Sequence, residues 1–94
     1  MMASRTDRIL DELLDDWTHE GRQVTADIRE RFQRLANMAE QVVLSGGAPV
    51  AVEAYKDLVQ LEMASGALAA ERSAREAFNR TAIRAIRWVV AVVA

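Results

Sequence analysis

At 94 residues the chain is one domain at most, and a single core of that size is marginal on its own. It holds no cysteine, which excludes disulfides and thiolate-bound metal and suits an intracellular protein. A net charge of −2 gives no overall attraction to nucleic acid.

Ser4 is suited to cap a helix, with Asp7 three residues on as the partner of a capping box. Acids then crowd the first turns, where the helix dipole favours them. Alternating steps of four and three from Leu10 give Leu10, Leu14, Trp17, Gly21, Val24, Ile28, Arg31, Leu35, Met38 and Val42. Eight of these ten are apolar, the spacing of a coiled-coil seam. The pattern predicts one helix over about residues 5–45, about 60 Å long at the α-helical rise. Gly21 weakens it by about 1 kcal/mol relative to alanine. Because the seam keeps its register across Gly21, a continuous helix is the expectation. A break near Gly21, with Thr25 capping a second segment, is the alternative.

Ser45, Gly46, Gly47 and Pro49 predict a stop and a turn over 45–49. A second helix should follow over about 49–90, with Leu61, Leu68, Phe78, Ile86 and Val89 among its apolar positions. Thirteen of the seventeen alanines lie at or after Ala48, a stripe that would let neighbouring backbones approach closely. The β-branched run Val89–Val93 fits a helix end or a short strand equally well.

The fold class expected is all-α: an antiparallel two-helix hairpin, coiled-coil-like, assembling into a homo-oligomeric bundle or ring. The reason is apolar excess, since 51% of the chain is apolar and two rods cannot shelter that much between them. Residues 7–20 carry six acids against Arg8 alone, and residues 77–94 carry Arg80, Arg84 and Arg87 with no acid. A hairpin sets Asp7, Asp11 and Asp15 level with those arginines, so the segregation is read first as ion pairing between helices.

Glu12, Asp15, Asp16 and His19 resemble the start of a di-metal helix, but the second helix has no matching Glu-x-x-His. They project away from the seam, and a solvated acidic face is the expectation, with no metal and no cofactor. Leu44-Ser45-Gly46-Gly47 matches four letters of the ABC-type ATPase signature loop, yet no phosphate-binding G-x-x-x-x-G-K-[ST] accompanies it. A helix-joining turn accounts for it. With one histidine, no cysteine and serines confined to turns and helix ends, nothing points to catalysis.

Function is therefore expected to be non-enzymatic, that of a structural or adaptor protein whose partner is itself or another protein. The alternative is a ring that handles nucleic acid through Arg72, Arg80, Arg84 and Arg87, in the general manner of small viral DNA-packaging subunits. A third reading is a membrane-peripheral element that uses the apolar tail Trp88–Ala94. That tail is seven residues, where spanning a bilayer takes about twenty. The N-terminus reads as an acidic amphipathic helix, not a signal peptide, so a cytoplasmic location is expected.

Overall fold

In a computed structural model, which describes residues 4–93, the chain is helical throughout, with no strand among the described residues. Ala94, the end of the apolar tail, lies outside the described residues. Helix α1 (Arg5–His19) starts where Ser4 Oγ accepts from the Asp7 N–H at 3.1 Å. It stops at Glu20, and Gly21 turns the chain with φ of +81°. That conformation costs other L-residues roughly 1 kcal/mol or more, so glycine is required at the bend. The Trp17 indole donates to the Gln23 carbonyl at 2.9 Å and fastens the connection to α1. Thr25 Oγ1 then accepts from the Ile28 N–H at 3.1 Å and opens α2 (Ala26–Leu44).

The continuous helix expected over 5–45 is thus replaced by two, with α1 folded back on α2. The physical reason lies in the width of the stripes. α1 buries Ile9, Leu10, Leu13 and Trp17, and α2 buries Ile28, Arg31, Phe32, Leu35, Ala36, Ala39 and Val42. Stripes this broad face a globular core, whereas a coiled-coil seam is narrower. Leu14 and Met38 pack at the edge of that core, and Val24 is exposed in the connection.

Gly46 and Gly47 end α2, with φ of +70° and +81° and N–H groups bonded back to Val43 and Val42 carbonyls at 3.0 and 2.9 Å. Pro49 opens α3 (Pro49–Met63) at a position where its missing N–H costs nothing. The second expected helix, over about 49–90, is also interrupted: α3 is followed by α4 (Gly66–Ala70) and α5 (Arg72–Val93). The break is built by Arg31, which reaches across from α2. Its guanidinium donates to the carbonyls of Glu62 and Ser65, satisfying the open end of α3. Arg31 and Glu62 are only 3% and 5% exposed. Glu62 also accepts from Arg34 Nη2 at 2.9 Å, so the buried carboxylate has two cationic partners.

α1, α2 and α3 pack in sequence as neighbours, and α5 lies against all three, with α4 against α3 and α5. Phe32 stacks on Phe78 at 4.9 Å, and Trp17 meets the Phe32 edge at 5.6 Å. The buried Tyr55 hydroxyl donates to the Ala82 carbonyl at 2.8 Å, joining α3 to α5. Burial pushes that phenol's pKa well above its ordinary value. Ala74, Ala77 and Ala82 are buried in this same core, so part of the alanine stripe is used within the chain. Val89 to Val93 continue α5 as helix. The result measures 35 × 32 × 18 Å, not a rod of about 60 Å, and its helices bury within the chain apolar residues that two rods would leave uncovered.

Candidate functional site

α5 runs antiparallel to α1, because Arg80 meets Glu20 and Arg84 meets Asp16. Between the two helices lies a groove with two lobes. One is a cleft of about 270 Å³, walled on the α1 side by Glu12, Asp15, Asp16 and His19 and on the α5 side by Thr81, Arg84, Ala85 and Trp88. The other, about 420 Å³, is lined by Arg5, Arg8, Ile9, Val43, Trp88, Val89, Val92 and Val93. Trp88 belongs to both. The α1 residues recur every three or four positions, so one side of the helix carries arginines at its start and acids further on.

The α1–α5 boundary is held by charge at one end. Arg80 grips Glu20 through two bonds at 2.9 and 3.1 Å. Arg84 donates to Asp16 at 2.8 Å and to Glu20 at 2.7 Å. The hydrogen bonds from Arg80, then those from Arg84, hold the Glu20 carboxyl down to about 2. Acidic and basic turns do meet, but through Asp16 and Glu20, not through the Asp7, Asp11 and Asp15 set that a straight hairpin would supply. Glu20 reaches this place because α1 ends beside it at Gly21.

Of the four arginines considered for nucleic acid, Arg72 pairs with Glu76 at 3.0 Å, and Arg80 and Arg84 are engaged as above. Among the described residues Arg87 has no carboxylate partner; it lines a groove on the other flank of α5 with Val52, Lys56, Ile83, Ile86, Val90 and Ala91. Arg80 and Arg84 would give up carboxylate bonds to take a phosphate, whereas Arg72 is engaged only through Nε in an exposed pair.

His19 stands exposed, its Nδ1 bonded to the Asp15 carbonyl at 2.8 Å. That bond, followed by the Asp15 charge, raises its pKa. Among the described residues no three acidic or histidine side chains converge to hold a metal ion. Gly46 and Gly47 of the Leu44–Gly47 stretch make the α2–α3 turn.

The apolar positions divide between core and surface. Leu10, Trp17, Ile28, Leu35, Val42, Leu68, Phe78, Ile86 and Val89 are buried within the chain. Leu61 is 68% exposed on α3 and stands outside that core. Ile9, Leu13 and Phe32 are core residues that the four-and-three seam passes over; their one-residue offset from it is the signal that could have revealed the broader stripe. Trp88 is 49% and Val92 65% exposed on the C-terminal turns of α5, and Leu44 and Val50 are exposed on either side of the α2–α3 turn. That turn meets the end of α5, where a Cβ on Gly47 would stand 3.1 Å from Val93. No helix among the described residues is long and apolar enough to cross a membrane. Comparison of the chain with known protein families, curated proteins and solved structures finds no match.

Proposed function

We propose that the protein is a non-enzymatic structural or adaptor module that self-associates and acts through the surface it thereby presents. The observation that carries this reading is the uneven surface. The chain encloses its own core yet leaves Trp88 and Val92 exposed on the C-terminal turns of α5, with Leu44 and Val50 exposed on either side of the α2–α3 turn. Trp88 and Val92 line one groove with Ile9, Val43 and Val89, and clustered apolar side chains mark an interaction surface more often than scattered ones do. The engaged state of Arg80 and Arg84 favours protein contact over nucleic acid as the work of α5.

Light scattering coupled to size exclusion tests this reading. The expected mass exceeds that of one 10.5 kDa chain and falls toward it on dilution. A single-chain mass that holds up to hundreds of micromolar would remove it.

A further inference from the structure

Along the α1–α5 groove, charge is ordered: Arg8 and the apolar Val92 share one lobe, Trp88 stands where the two lobes join, and Glu12 and Asp15 lie in the other lobe. Arg8 and Glu12 have no ion-pair partner among the described residues, and Asp15 has only His19, at 3.6 Å. Arg84 and Asp16, in contrast, are committed to each other.

A two-fold axis reverses such an order. It brings the basic lobe of one copy over the acidic lobe of the other, at both ends at once, with tryptophan near tryptophan. We infer that this groove is an isologous dimer interface, in which Arg8 of each copy faces Glu12 and Asp15 of the other and Trp88 packs near the axis. The inference rests on the self-association reading and adds its surface and register.

This self-complementarity favours a second copy over any other occupant, since the face supplies both the basic and the acidic groups that the pairing uses. The net charge of −2 sets little long-range repulsion between copies. Desolvated apolar contact from Trp88 and Val92 provides the attraction, and the outer charges fix direction.

Charge reversal tests the register. Arg8→Glu and Glu12→Arg are surface changes that leave the helical circular dichroism unaltered. Each breaks a contact that occurs twice in the dimer, so each alone weakens dimerisation by roughly tenfold. Mixed one to one, the two variants recover most of it, because the charges at both contacts between positions 8 and 12 are again opposite and only one like-charge contact, to Asp15, is left. Trp88→Ala weakens it by at least about tenfold. Sedimentation equilibrium reads these four samples beside wild type.

A wild type that dimerises while both reversals leave its dissociation constant unchanged overturns the interface, with self-association still standing. Weakening that mixing leaves in place overturns the reversed register. A wild type that stays monomeric removes both readings. Binding of a monomeric wild type to anionic phospholipid vesicles, lost in Trp88→Ala, would assign the face to a lipid surface and overturn the inference.

Discussion

Arg31 and Gly66 fit one another so closely that a Cβ added at Gly66 would stand 2.7 Å from Arg31 Nη2. Gly66 also holds φ of +60°, which a side chain disfavours. The guanidinium lies over the start of α4 and closes the end of α3, tying residues 34 positions apart in the chain.

Arg31→Met removes the donors to the Glu62 and Ser65 carbonyls and leaves Glu62 with Arg34 as its remaining cation. The expected loss of stability is about 3 kcal/mol. Gly66→Ala costs about 2 kcal/mol from backbone strain and crowding. In urea unfolding the double variant loses less than the sum, because the guanidinium that crowds the new methyl is gone. Strict additivity would show that the two residues do not meet.

Phe32 is fully buried between Trp17 and Phe78, whereas Leu61 faces solvent. Phe32→Ala is expected to cost about 3–5 kcal/mol, a large share of a small domain's stability. Leu61→Asp changes stability by less than about 0.5 kcal/mol. Thermal melts of the two variants check the contrast, and comparable losses would contradict the assignment of the core.

Glu20 is held at a pKa of about 2, against an ordinary value of 4.5, by Arg80 and then Arg84. Its contribution to stability is therefore complete above about pH 4.5 and is lost as pH falls toward 2. A carboxyl-carbon NMR titration should place its midpoint near 2. Glu20→Gln should flatten the loss of stability over that pH range. A midpoint at the ordinary value would show that the two arginines are not engaged.

Gly21 gives opposite signs for two architectures. In the bend seen here, Gly21→Ala destabilises by about 1 kcal/mol, because alanine resists a φ of +81°. In an uninterrupted helix the same change stabilises by about 1 kcal/mol. Denaturant unfolding gives the sign.

Helical class was legible in the periodicity, and Ser45, Gly46, Gly47 and Pro49 carried the mark of the α2–α3 turn. The bend at Gly21 was legible only as an alternative: Thr25 carried a cap signal, but an apolar register that ran on past Gly21 masked it. The break at Ser65–Gly66 had a local glycine but no local cause, since what closes α3 is Arg31 from another helix. An arginine on an otherwise apolar stripe was itself a sign that a buried partner awaited it. At the groove, the segregation of acids and arginines was plain in the chain. Which of them pair was not, because Glu20 and Asp16 reach Arg80 and Arg84 only once α1 has stopped and turned. Trp88 read as the start of an apolar tail, and its exposure in the groove depends on how α5 settles against α1, which no local pattern encodes.

Small-angle X-ray scattering over a dilution series tests the central claim most directly: each chain folds back to enclose its own core and then pairs through one face. At the dilute limit the account predicts a single-chain mass and a compact particle with a radius of gyration near 12.6 Å, enlarged only by hydration. At the concentrated end it predicts twice that mass. A rod about 60 Å long at any concentration, or a single-chain mass throughout, would contradict it.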